Sequence, residues 1–199
     1  MATITRPPTG LMTAEEFYEF TCRPENADRH FELDEGRVIE LPNPKKLHGV
    51  VCMRIGFQLE SYARRMGRGQ VASNDAGVIL GRSPDTVRGP DMAYFAEQQS
   101  MAELAAEGYA ETPPVLAVEV LSPDDRPGRV ARKVAQYLRA GVKLVWVVDP
   151  EICEIAVHRT GADEPVLLDA EAVLTGGEVL PGFECRAGEF FDLPETAGK

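Results

Sequence analysis

Long apolar runs, closely spaced cysteines and a surplus of positive charge are all missing from this 199-residue chain. Each absence removes a class of function. The longest uncharged apolar run in the second half, Leu144–Val148, has five residues, against the ~20 that a membrane-spanning helix needs. The opening MATITRPPTG lacks the apolar stretch of a secretory signal, so a cytoplasmic protein with no membrane partner is expected. Cys22, Cys52, Cys153 and Cys185 stand about thirty or more residues apart with no C-x-x-C pair. That spacing argues against a zinc ribbon and fits reduced, partly buried thiols. His30, His48 and His158 show no His-x-x-x-His pattern and read as single surface or pocket histidines. No G-x-G-x-x-G or Walker sequence is present, which disfavours dinucleotide and nucleoside triphosphate binding. Ser122 lacks the G-x-S-x-G setting of a hydrolase nucleophile. With 21 Lys+Arg against 32 Asp+Glu, the net charge of −11 excludes a broadly basic nucleic-acid binder.

What is present is the patterning of one α/β domain over residues 11–193, with loose tails at 1–10 and 194–199. Thr13-Ala-Glu-Glu16 is a capping box that opens a helix. Arg29–Leu33 and Arg37–Leu41 flank Asp34-Glu35-Gly36 and read as a hairpin. Val51, Ile55, Leu59 and Tyr62 recur at helical spacing up to Gly67-Arg-Gly69. Short strands follow at Gln70–Ser73, Gly77–Leu80 and Asp91–Phe95, the last after a loop GRSPDTVRGP rich in breakers. Ser100-Met-Ala-Glu103 opens a short helix ending near Gly108. The most regular stretch is an apolar strand Val115–Val120, a helix Val130–Leu138 and a second apolar strand Leu144–Val148. Strands apolar on both faces and joined by a helix imply a parallel β-α-β unit in a covered sheet. Ile152–His158 alternates as a strand nearer the edge would.

One residue breaks that core pattern. Glu119 sits inside Val115-Leu-Ala-Val-Glu-Val-Leu121, where a carboxylate costs several kcal/mol unless it is paired, protonated or bound to a cation. A strand end in solvent or a structural ion pair would satisfy it. So would a second carboxylate sharing a cation, and Pro90-Asp91 supplies one at the start of the strand 28 residues upstream. Two oxygen ligands at neighbouring strand ends suit Mg²⁺ or Mn²⁺ rather than zinc. On the helix that follows, Val130, Val134, Tyr137, Leu138 and Gly141 form one stripe, and Lys133 lies at its edge. It is placed either as a solvated lysine or as one that runs along the sheet to bring its ammonium near Glu119.

At these residues the sequence resembles the PD-(D/E)XK nuclease superfamily, and more closely its Uma2 (DUF820) group of bacterial endonucleases. The similar stretches are His30-Phe-Glu-Leu-Asp-Glu-Gly-Arg-Val-Ile-Glu40, Pro90-Asp91, Val118-Glu-Val-Leu-Ser-Pro123, Lys133-Val-Ala-Gln-Tyr137, Ala140-Gly-Val142, Val145-Trp-Val-Val-Asp-Pro150 and Leu180-Pro-Gly-Phe183. They occur in family order over about 180 residues. The resemblance implies a restriction-endonuclease-like single domain with a central mixed β-sheet flanked by helices. It also implies a Mg²⁺- or Mn²⁺-dependent DNA endonuclease in which Asp91 and Glu119 hold the metal. Lys133 takes the place of the catalytic lysine, which stands two residues after the acid in the wider superfamily, where this chain has Leu121. Glu32 matches an N-terminal acid of the family and is a further catalytic candidate. His48 matches a histidine near the start of the next helix, with no assigned role.

One departure concerns the loop. It reads Ser122-Pro-Asp-Asp125 where the family commonly has Ser-Pro-Ser-Thr, and Arg129 stands where an Asp is usual. A homodimer is expected for cutting two strands symmetrically. The rival readings are a nuclease-fold module that binds nucleic acid without cleaving it, and a hydrolase of smaller phosphoesters. The negative total conceals two basic stretches. Lys45–Gln70 holds six basic residues against one acidic, and Ser122–Lys143 six against two. They are placed as either solvated helix faces or the walls of a DNA groove.

Overall fold

A computed structural model describes residues 10–73 and 76–192. The expected tails at 1–10 and 194–199 lie, apart from Gly10, outside the described residues. Helix α1, Ala14–Thr21, starts on the expected capping box: Glu16 N–H donates to Thr13 Oγ1 at 3.2 Å and Thr13 N–H to Glu16 Oε2 at 2.9 Å. It buries Ala14, Phe17 and Phe20 against Leu33 and Val87 in a small apolar cluster. Strands β1 (His30–Asp34) and β2 (Arg37–Leu41) form the hairpin, with Glu35 and Gly36 at φ 49° and 76°. Two consecutive positive φ values make the tight turn whose twist matches that of its strands.

Helix α2, Lys46–Met66, is about 31 Å long and packs Val51, Ile55, Leu59 and Tyr62 inward. It ends where Gly67 takes a left-handed φ of 63°, the usual residue for a helix stop of this kind. Strands β3 (Gln70–Ser73), β4 (Val78–Gly81), β5 (Thr86–Arg88) and β6 (Met92–Phe95) follow, then helix α3 (Met101–Leu104). The expected unit is present as β7 (Leu116–Val120), α4 (Pro127–Arg139) and β8 (Leu144–Asp149), and β9 spans Glu154–Arg159. Four strands lie outside the sequence reading: β5 and, after β9, β10 (Val166–Leu168), β11 (Val173–Thr175) and β12 (Glu184–Arg186).

Two main sheets result, β2-β1-β5-β4 and β10-β9-β8-β7-β6-β3. In the second, β7 and β8 run parallel and the other pairs antiparallel, so the central sheet is mixed as expected. Strand alternation then sorts the side chains of β7. Leu116, Val118 and Val120 face the large cluster under α2 that includes Tyr62, Trp146, Phe183 and Phe190. Ala117 and Glu119 face the other way, where α4 lays Val134 and Tyr137 on Val145 and Val147. A carboxylate therefore points to the side of the sheet with the smaller apolar cluster.

The loop GRSPDTVRGP contains a strand. Thr86–Arg88 is β5, paired with both β1 and β4 and buried throughout. Gly, Pro and Asp around it mask a three-residue strand that its neighbours on both sides stabilise.

Candidate active site

Glu119 belongs to a buried charged group built from four elements. Lys133, on α4, places Nζ 2.5 Å from Glu119 Oε2 and 3.1 Å from Glu32 Oε1. Tyr137, one turn further along α4, donates its hydroxyl to Glu119 Oε1 at 2.7 Å. Spacing of i, i+4 on the helix brings both donors to one carboxylate. Glu32 and Asp34 share one face of β1, opposite the apolar Leu33. Arg88 at the end of β5 pairs with Glu32 Oε2 at 2.7 Å and with Asp34 Oδ1 at 3.0 Å. Its guanidinium also donates twice to Gln136 Oε1, at 2.9 and 2.7 Å. Arg132 then closes the hairpin against α4 through Asp34 and Glu35.

Asp91 approaches from the next strand. The antiparallel register pairs Met92 with Val118, which leaves Asp91 one residue beyond, alongside Glu119. Its Oδ2 accepts the Val120 N–H at 2.6 Å, and its Oδ1 lies 3.0 Å from His48 Nε2. His48 Nδ1 in turn lies 3.5 Å from Cys52 Sγ. Asp91, Glu119, Lys133 and His48 line one cleft, whose rim includes Ser122 and Asp125. Glu32 and Arg88 lie behind it, on an adjoining cleft that Glu119 and Lys133 also line.

The electrostatics follow from this crowding. Burial pushes the Glu119 carboxyl above the usual carboxylate range; Lys133 opposes the shift, while Asp91 and Glu32 reinforce it. Burial disfavours the Lys133 ammonium, but Glu119 and Glu32 outweigh that and hold its pKa above the ordinary lysine value. Lys133 is thus a cation at neutral pH. His48, hydrogen-bonded to Asp91 and to Cys52, is raised to about 10. Burial and the neighbouring Glu119 hold the Tyr137 phenol well above its usual range, so it acts as a hydrogen-bond donor.

The sequence of this chain matches the model of the Uma2 family, described as "Putative restriction endonuclease", over residues 14–188. The chain belongs to the Uma2 family. A solved structure with the same fold is the crystal structure of a "putative nuclease belonging to DUF820" from Anabaena variabilis. It shares 20% sequence identity with a TM-score of 0.73, covering 90% of this chain and 97% of that one. None of the curated proteins matches. Family and fold together support a nuclease.

All five residues singled out in the Uma2 sequence come together. Asp91, Glu119, Lys133 and His48 share the cleft, and Glu32 reaches it through Lys133. The departing loop is closed locally, with the Ser122 N–H donating to Asp125 Oδ2 at 2.7 Å. Three neighbours escape a reading of the sequence. Arg88 hides in the breaker-rich stretch. Tyr137 is visible as a core residue of the α4 stripe, but its hydroxyl contact is not. Cys52 follows His48 at i+4, a pairing that a search for two histidines passes over.

The donor set fits a hard divalent cation. Asp91 and Glu119 offer carboxylate oxygens at adjacent strand ends, and each oxygen already holding one hydrogen bond keeps a second lone pair. Burial, reinforced by Asp91 and Glu32, keeps the Glu119 carboxyl raised in spite of Lys133, and a dication beside it would favour the charged form.

Proposed function

We propose that this Uma2 chain is a Mg²⁺-dependent DNA endonuclease, Mn²⁺ serving equally, that hydrolyses phosphodiester bonds. In this reading Asp91 and Glu119 hold the metal, Lys133 is the catalytic lysine, and Glu32 completes the acidic set. The observation that carries it is the position of the Lys133 ammonium, 2.5 Å from Glu119 and 3.1 Å from Glu32 on the wall of the cleft that Asp91 lines. A buried cation held by two acids has a structural use, but only a cleft-facing one can also meet a substrate.

A divalent ion bound there supplies Lewis acidity, polarising the phosphate and acidifying water. The protein's own groups do the rest. Lys133, held as an ammonium, orients the attacking water and neutralises charge that develops on the phosphate oxygens. Tyr137 and the Val120 N–H fix the carboxylates of Glu119 and Asp91 in the rotamers that face the cleft. His48 holds the second oxygen of Asp91. Lys45, at the start of α2, pairs with Asp124 at 3.4 Å, so the two basic stretches come close to each other at these ends. This supports DNA as the substrate in spite of the net negative charge, with binding that weakens steeply as salt rises. A homodimer would present two such clefts for the two strands.

The test is nicking and linearisation of DNA by the purified protein with Mg²⁺ or Mn²⁺. Cleavage that disappears in Glu119→Ala is the expected result. DNA retention without cleavage in any metal would establish the binding module instead. Preference for short nucleotide substrates would point to the smaller phosphoesters.

A further inference from the structure

His48, Cys52 and Asp91 offer one ligand atom each, and all three atoms lie within 4.8 Å of one another. We propose that they form a site for a divalent transition ion of borderline softness, Zn²⁺ or Co²⁺, and that an ion there withdraws Asp91 from the hard-metal position. Two independent properties of the three residues favour it. The first is chemical: imidazole and thiolate favour Zn²⁺ over Mg²⁺, whereas Asp91 with Glu119 is an all-oxygen pair that favours the reverse. The second is geometric. His48 and Cys52 stand at i, i+4 on α2, and their Nδ1 and Sγ are 3.5 Å apart. An ion about 2.0 Å from nitrogen and 2.3 Å from sulfur, at a tetrahedral angle, requires the two ligands about 3.5 Å apart. The helix thus already holds a chelating bite.

Asp91 lies on the opposite side of the imidazole, its Oδ1 3.0 Å from Nε2. Seating all three on one ion requires the imidazole or Asp91 to turn, over the 4.8 Å that separates the ligand atoms at most, and water would fill the fourth position as in open zinc sites. Cys52 must bind as thiolate and His48 as neutral imidazole, so the protons these two groups carry leave to solvent on metal entry. All three side chains are half-buried, and two of them line the cleft, so an ion has an entry route. Asp91 is the shared ligand. An ion held by His48 and Cys52 that turns the Asp91 carboxylate toward them takes it away from the position it shares with Glu119.

The binding stands without any nuclease activity; the competition rests on Asp91 serving the reading above. The first experiment therefore titrates Co²⁺ into the metal-free full chain and follows the near-ultraviolet thiolate-to-cobalt charge-transfer band. One equivalent should saturate it, and Zn²⁺ should bleach it. Cys52→Ser should abolish the band and weaken Zn²⁺ binding by more than the about 10- to 100-fold that loss of an outer-shell partner costs. Cys52→Ala is the second variant, since it adds no hydroxyl to the apolar cluster that Cys52 touches; circular dichroism checks both folds. Absence of the band in the wild-type chain, or its survival in both variants, overturns the site. In the second experiment Zn²⁺ should suppress Mg²⁺-supported cleavage by the wild-type chain and not by Cys52→Ser. Equal suppression of the two overturns the competition. A chain that shows the cobalt band but never cleaves DNA retains this site and loses the nuclease reading.

Discussion

The two layers that cover the central sheet are built from opposite materials. On the α2 side Tyr62, Trp146, Phe183 and Phe190 join an apolar cluster extended by residues around the C-terminal hairpin β11–β12. On the α4 side a smaller cluster shares its layer with Glu32, Arg88, Glu119, Lys133 and Gln136. Apolar packing gains from every contact, whereas each buried charge begins with a desolvation cost that its partner at best offsets. The first layer therefore holds the fold, and the second uses part of that stability to keep charged groups in place.

The largest expected effect separates the two layers directly. Glu119→Ala should reduce cleavage by about 10³-fold or more, corresponding to about 4 kcal/mol of transition-state stabilisation. The sharper variant is Glu119→Gln combined with Lys133→Met. Glu32 keeps Arg88, and the Tyr137 hydroxyl can still donate to the new amide oxygen. Urea unfolding should show the double variant as stable as wild type or more so, because the pair's desolvation cost goes with it. A loss above about 3 kcal/mol would mean that the charged layer holds the fold after all. Trp146→Ala should act in the opposite way. It should cost about 3–5 kcal/mol and lower the Tm by an amount on the order of 10 °C, while cleavage per folded molecule below that temperature stays at the wild-type level.

This contrast also explains what the sequence reveals. Residues 116–120 and 144–149 are legible as covered strands because apolar runs of that length between breakers have few other uses, and Glu119 stands out against them. The α4 stripe shows which face packs, so Lys133 could be placed at its edge. Arg88 was not legible. Its strand is three residues long, set among Gly, Ser, Pro and Asp, and it forms because β1 and β4 flank it, a tertiary effect with no local signature. Strands β10, β11 and β12 are equally short. The link from His48 to Cys52 was written in the spacing, yet one histidine and one cysteine form no familiar motif until β6 delivers Asp91.

A smaller effect tests whether positioning within the charged layer matters apart from charge. Tyr137→Phe removes one hydrogen bond to Glu119 and no volume from the core. Glu119 keeps Lys133, so the loss of stability should be about 1 kcal/mol. Cleavage should fall about tenfold, and the fall should appear in kcat rather than KM if the hydroxyl fixes the carboxylate rather than the substrate. A change in KM alone would show that the cleft has been reshaped.

The smallest effect concerns the clasp between the hairpin and α4. Burial raises the Asp34 carboxyl, but hydrogen bonds from Arg132 and Gln136 and the charge of Arg88 hold it below the ordinary value of 3.8. A carboxylate depressed in the folded state contributes stability that is complete above its unfolded pKa and disappears as pH falls through the folded one. Arg132 is nearly half-exposed, so solvent screens its share and Arg132→Ala should cost about 0.5–1 kcal/mol near neutrality. The difference between wild type and variant, read from urea midpoints, should stay constant down to about pH 4.5 and vanish as pH drops below 3.8. If it persists at pH 2, the guanidinium stabilises the clasp by packing its stem rather than by pairing. Arg132 would then belong, in its energetics, with the apolar layer on the other side of the sheet.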